Sequence, residues 1–441
     1  MNGNTSVMNI MKTRTMGGLM VAGLLLAPSL FSCPRPSFGS DSFGTKGGTI
    51  LKEKIGQAIE ILKEKDVDLW LTFSRESATS HDPACDLIVG APFTWHSAFL
   101  ISAGGETIAI VGSLDETTIR GTGLYNKVIG YVKSIKEPLL ETLQRLNPKK
   151  IAVNISKNDV MADGLTQGMY ETLGDYLQGT GFAGRFVSSE GILRALRGRK
   201  TESELERIKD AIRATDKIFE KTGKFMKAGK TEAQVAGYMT RLVEQEGLEP
   251  AWDPSQCPAV FSGPEAAGAH AAPTQRTIAR GHVLNIDFGV KKNGYCSDLQ
   301  RTWYFLKKGE KQAPEVVLKA FRIIRDSIQA AADEIRPGME GWVVDDLVRS
   351  KVVALGFKEF PHALGHELGR AAHDGSGLYP KWERYGEMPF NKIEEGQVYT
   401  LEPRISIEGY GVATLEEIIV VTKNGGKFLS QPQRELYYIR P

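Results

Sequence analysis

Residues 285–305 read NIDFGVKKNGYCSDLQRTWYF. Asp287 stands inside the apolar stretch Val283 to Val290, and eleven residues later Asp298 stands where the chain again reads as a strand. The VKKNGY between them reads as a hairpin turn, which would put the two acids on adjacent strands. Burying one carboxylate is costly, and burying two near each other is worse. A core-like stretch that carries both needs a compensating positive charge.

The later part of the chain repeats the anomaly. Glu402 sits in YTLEPRI, and Glu416 and Glu417 sit in ATLEEIIVV. His362 and His366 sit in HALGHELG, with His373 seven residues after His366. Taken singly, each has an ordinary reading. A strand Asp is usually an edge or turn residue, and a lone His is usually a satisfied core residue. Taken together they have one simple explanation, metal ions whose charge lets carboxylates cluster. Carboxylates with a single imidazole suit Mn²⁺, Co²⁺ or Fe²⁺ better than the thiolate sites of structural zinc. Five side chains exceed the needs of one catalytic zinc and suit two ions about 3.5–4 Å apart. The His-x-x-x-His spacing also occurs in zinc-protease helices, but there Glu follows the first His, and here Ala363 does.

The chain has 441 residues, enough for two domains, with 41% hydrophobic and 24% charged residues. Lys+Arg 55 against Asp+Glu 53 leaves a net charge of +2, and no dense basic cluster appears. No nucleic-acid partner is expected. Residues 1–48 differ in character. Lys12 and Arg14 precede an apolar, uncharged run from Met16 to Phe31 that is short for a membrane span. This reads as an export signal, with translation starting at Met1 or Met11. LFSC, ending at Cys33, resembles a bacterial lipoprotein cleavage box. The expected location is periplasmic, or membrane-anchored through a lipid on Cys33. Cys85, Cys257 and Cys296 are too few and wrongly spaced for a disulfide framework or a zinc site. A Cys257–Cys296 bridge is the alternative to small buried thiols.

Periodicity divides the rest. Residues 49–195 alternate helical spacing with short strands (VDLWLTF, SAFLIS, TIAIVG, KKIAVNIS), an α/β domain. From residue 196 the pattern changes. Thr201 with Glu204, and Thr231 with Gln234, form capping boxes that open two helices. Strands follow, ending in the 285–305 stretch. Then two more helices, about 315–335 and 340–355, precede strand-like PHALGHEL, GQVYTLEPRI and GYGVATLEEIIVVT. Residues 196–441 thus read helix–helix–strands twice, as two halves that close a sheet with helices outside.

SGPEAAGAHAAPTQRTIARGHVLNIDFGVKKNGYCSDLQRT, HALGHELGRAAHD, TLEP and LEEIIVVT resemble, in order, the motifs of the Xaa-Pro aminopeptidase and prolidase family. The resemblance covers about residues 193–422. It implies an α/β (α+β) chain with a pseudo-twofold pita-bread domain, the fold of methionine aminopeptidase and creatinase. Residues 49–195 resemble, more weakly, the N-terminal domain of creatinase and prolidase. Residue by residue, Asp287 matches the acid that holds one metal alone, and Asp298 and Glu416 match the bridging carboxylates. His366 and Glu402 match the ligands of the other metal. His270 and His373 match the two substrate-flanking histidines. Glu417 is the alternative ligand if the register slips by one, and His362 is taken as structural or substrate-side. The implied cofactors are two divalent ions, manganese first, with cobalt, iron or zinc as alternatives. The implied reaction is hydrolysis of the Xaa-Pro bond at the amino terminus of peptides by a metal-bridging hydroxide. Glu402 would pass the proton to the leaving nitrogen. A prolidase acting on Xaa-Pro dipeptides and a non-catalytic pita-bread binding protein are the alternatives. The resemblance also admits a homodimer.

Two departures bear on substrate length. The family commonly has Arg-Ile-Glu before its last motif, and its arginine helps hold a dipeptide's carboxylate; here Thr414-Leu415-Glu416 stands there. Arg404 stands where glycine usually follows Glu-Pro. Longer peptides are therefore expected to be preferred, unless Arg404 supplies the missing charge.

Overall fold

A computed structural model describes residues 45–265 and 272–441. The apolar run at residues 16–31, read above as an export signal, Cys33 and His270 lie outside the described residues.

The first part is a six-stranded mixed sheet in the order Lys127–Tyr131, Thr107–Gly112, Ser97–Ser102, Leu69–Ser74, Ile151–Val153, Phe186–Ser188. Its central strands are buried throughout, and apolar side chains fill both faces. The long helix Thr45–Glu64 packs on one face and the helices Lys136–Leu146 and Gln167–Tyr176 on the other. The helix Glu190–Gly198 spans the 195/196 position at which the sequence pattern changes.

The remainder follows the doubled pattern. Helices Glu202–Phe225 and Glu232–Gln245 precede the strands Ala259–Ser262, Val283–Phe288 and Leu299–Phe305. Helices Glu315–Glu334 and Gly341–Ala354 precede the strands Val398–Leu401, Arg404–Ile407, Gly411–Thr414 and Glu417–Thr422. Both expected capping boxes form: Thr201 with Glu204 and Thr231 with Gln234 each satisfy two backbone donors. Each helix pair covers its own core. Ile208, Ile212 and Val235 of the first pair meet Leu284, Ile286 and Phe288. Ile324, Ile328 and Val348 of the second meet Ile405, Ala413 and Leu415. The strand Glu417–Thr422 joins the two cores, with Ile418 and Val420 in the first and Ile419 and Val421 in the second. That is a strand buried on both faces, which explains why its sequence is a continuous apolar run rather than an alternation.

Three expectations change. Asp298 lies one residue before its strand rather than in it, because Ser297 is drawn out of the ladder to bond across to Val290. PHALGHEL is strand at Gly365–His366 alone, since most of its backbone bonds go to turns and to side chains. YTLEPRI and ATLEEIIVV are each broken in two, at Glu402-Pro403 and at Leu415-Glu416. Pro403 cannot donate to a ladder, so the first break is fixed by chemistry. The hairpin tip is Asn293-Gly294, both at positive φ (51° and 77°), as a two-residue turn between twisted strands requires.

Candidate metal centre

The strands Val283–Phe288 and Leu299–Phe305 pair antiparallel, with Asp287 opposite Gln300 on one side and Ala259 on the other. Ile286 and Phe288 enter the core, so Asp287 faces the opposite side. Asp298, just ahead of Gln300 by two residues, comes to the same side, where its carboxyl meets that of Asp287. Gly289 makes this approach feasible: a Cβ there would lie 1.9 Å from the Ser297 carbonyl oxygen.

The second half supplies the rest. The backbone N–H of His366 donates to Thr400 Oγ1 at 3.2 Å. His366 Nε2 lies 3.5 Å from Glu402 Oε1 and 3.8 Å from both Asp298 Oδ2 and Glu416 Oε1. Donor atoms of Asp298, His366 and Glu416 all fall within 4.8 Å of one another. Gln300, which the sequence reading passed over, ties two of the acids: its Nε2 donates to Glu402 Oε2 (3.3 Å) and Glu416 Oε2 (3.1 Å). Its Oε1 accepts from Thr414 Oγ1 at 2.9 Å. The period-two spacing from Asp298 could have flagged it.

Glu417, the alternative, turns away. Its carboxylate accepts from Arg301 (3.1 Å), Ser430 Oγ (2.6 Å) and the Gln433 N–H (2.8 Å). This also commits Arg301 to a structural role. His362 stays on a turn, with Nδ1 2.8 Å from the Ala363 carbonyl and its ring against Phe360. His373 is exposed and edge-on to His366, ring centroids 4.2 Å apart. The three cysteines are free and buried, as single thiols. Burial pushes Cys257 and Cys296 up to about 12, which leaves them unreactive.

The electrostatics of the four acids fit a cation centre. Burial pushes Asp287 up to about 7. Burial and mutual repulsion hold Asp298, Glu402 and Glu416 well above the usual carboxylate range. Asp287 Oδ1, Asp298 Oδ1 and Glu416 Oε1 are buried with no hydrogen-bond partner among the described residues. Orphaned carboxylate oxygens are expensive in an apolar interior, whereas divalent cations satisfy them directly. The donor set, four carboxylates and one imidazole, is that of hard or borderline ions such as Mn²⁺.

A metal-ligand set of this kind inside a two-halved α/β fold defines a metallopeptidase-like enzyme. The profile of metallopeptidase family M24 matches residues 206–423. An uncharacterised peptidase of Staphylococcus saprophyticus is 30% identical over 337 residues, 76% of this chain and 87% of its own. An Xaa-Pro dipeptidase of Pyrococcus furiosus is 30% identical over 253 residues, 57% of this chain and 68% of its own. The crystal structure of an X-Pro aminopeptidase from Thermotoga maritima superimposes with TM-score 0.63, covering 87% of this chain and 99% of that one at 23% identity. The chain belongs to metallopeptidase family M24, and it is a metal-dependent hydrolase of peptides with the pita-bread fold.

Proposed function

We propose that this protein is a dinuclear exopeptidase that hydrolyses the Xaa-Pro bond at the amino terminus of peptides. The observation that carries the reading is the convergence of Asp287, Asp298, His366, Glu402 and Glu416, with three buried carboxylate oxygens that have no hydrogen-bond partner among the described residues. In this reading Asp287, Asp298, His366, Glu402 and Glu416 would together hold the two ions, with Asp298 and Glu416 shared between them. Divalent ions held there would activate water near neutral pH and polarise the scissile carbonyl. The chain's own groups do the rest. His373, exposed beside His366, donates a hydrogen bond to the scissile carbonyl oxygen as charge builds on it. Glu402 carries the proton to the leaving imino nitrogen, and Gln300 holds its carboxylate in place. His270 is proposed as the second flanking histidine. The division at residues 49–195 and 196–441, and an exported or lipid-anchored location read from residues 12–33, belong to the same proposal.

One observation favours the dipeptidase reading beside it. Arg404 pairs directly opposite Thr414, the position that lacks the family's arginine, so the cation has crossed the ladder instead of vanishing. Its neighbours Ile405 and Ala413 enter the core, which puts Arg404 on the same side as the acids. The guanidinium is half-buried over Phe261, 5.8 Å from the ring centroid, with no ion pair among the described residues. Comparing kcat/KM for Ala-Pro and Ala-Pro-Ala, in wild type and Arg404→Ala, decides between the two. A wild type faster on Ala-Pro-Ala supports the aminopeptidase. Dipeptide preference abolished selectively by Arg404→Ala supports the dipeptidase. No cleavage of either by protein loaded with Mn²⁺ or Co²⁺ rejects the Xaa-Pro assignment.

A further inference from the structure

Asp374 follows His373 in the chain and faces the other way. Its carboxylate is 2% exposed and accepts from Arg197 Nη1 at 2.9 Å, from Lys200 Nζ at 3.2 Å and from the Arg370 N–H at 3.2 Å. Its own N–H donates to the Glu367 carbonyl at 2.9 Å, one residue past His366. Arg197 and Lys200 are themselves 3% and 7% exposed, and Lys200 Nζ also donates to the Arg197 carbonyl at 2.6 Å. Arg197 Nη2 reaches the Pro83 carbonyl, at 2.8 Å, in a loop of the first sheet. Burial pushes the Asp374 carboxyl up, but Lys200 and Arg197 outweigh it and hold the group below the usual range.

Two cations on one buried carboxylate exceed what a loop tether needs. Removing one partner of a buried pair costs far more than the pair contributes, so such arrangements set geometry more than stability. The geometry set here is that of residues 369–375, the loop that presents His373 to His366. Arg197 and Lys200 precede residue 206, ahead of the stretch that the family profile matches. We propose that Asp374, gripped by Arg197 and Lys200, is a positioning residue for His373, and that the segment joining the two parts of the chain thereby sets the donor used on the scissile carbonyl. This rests on the role given to His373 in the proposed function.

The test is a double-mutant cycle with hydrogen exchange. Asp374→Asn keeps the shape and removes the charge; Lys200→Met removes one cation and leaves the Arg197–Asp374 pair, so it carries the test if Asp374→Asn does not fold. Both should keep wild-type metal content and a KM within about threefold, and lose about tenfold or more in kcat. In a His373→Ala background neither should slow kcat further, because a residue acting through His373 has nothing left to place. Losses that add in the double mutants mean a general structural role and overturn the proposal, as does a His373→Ala that leaves kcat unchanged. Amide exchange of 369–375 should speed up in both variants while 283–305 stays as in wild type. Unchanged exchange of 369–375 overturns the grip whatever the substrate proves to be. A wild type that cleaves no Xaa-Pro peptide, with exchange accelerated as stated, fails the proposed function but not the grip.

Discussion

Asp298 and His373 both lie against the His366 imidazole, and they should fail differently. Asp298 is 6% exposed, with an orphaned oxygen and three acids around it. Asp298→Asn removes the charge proposed to bridge two ions, so bound metal measured by elemental analysis should fall with activity. Full activity in that variant would remove Asp298 from the ligand set. His373 is exposed, its ring edge-on to that of His366. His373→Ala should retain both ions and lose about 10²–10³ in kcat, the usual cost of one transition-state donor. Loss of metal in His373→Ala would make it a ligand instead. The preference for Glu416 over Glu417 rested in the sequence on distance to the VVT end of the strand. The fold adds a physical reason: Arg301, Ser430 and Gln433 already satisfy Glu417, whereas Glu416 keeps an oxygen with no partner among the described residues.

Strands that carry the acids are interrupted beside them. Asp298 precedes Leu299–Phe305, Glu402 parts Val398–Leu401 from Arg404–Ile407, and Glu416 parts Gly411–Thr414 from Glu417–Thr422. A break releases a carboxylate from strict alternation and lets it turn toward a common point. The sequence shows the break at Pro403 and hides the other two, because Leu415 and Ser297 carry no breaking chemistry of their own. Gly289 is the element most exposed to test. Gly289→Ala drives a methyl into the Ser297 carbonyl and should separate Asp298 from Asp287. Metal affinity should drop by at least about tenfold and the thermal midpoint by several degrees, as for overpacking of about 1–3 kcal/mol. Wild-type metal affinity in Gly289→Ala would show that the close approach is not needed.

Taken as a whole, the molecule concentrates four raised acids in its centre, and metal removal should show this. Asp287, pushed up to about 7 by burial, holds a proton in the folded metal-free chain at pH values where the unfolded chain, with a carboxyl near 4, has lost it. The folded state binds more protons in that window, so stability is present at low pH and is lost as pH rises through about 7. Asp298, Glu402 and Glu416 shift in the same direction and add to the loss. Chelated protein should therefore melt higher at pH 5 than at pH 8, and added Mn²⁺ should raise the melting temperature more at pH 8. A chelated melting temperature flat across that range would contradict the proposed electrostatics. No helix among the described residues is long and apolar enough to cross a membrane.

Much of this was legible in the chain. Periodicity and caps marked both helix pairs, and the acids in apolar strands marked the centre, because a buried charge is an anomaly that composition cannot hide. The contacts that unite the two halves were not legible. Gln300 bonding Glu402 and Glu416, and Arg197 gripping Asp374, join residues up to 177 positions apart. Local pattern records which face a residue takes, since that is set by its own strand or helix. It does not record which distant side chain meets it there, because that depends on how two separately patterned halves pack around a shared strand.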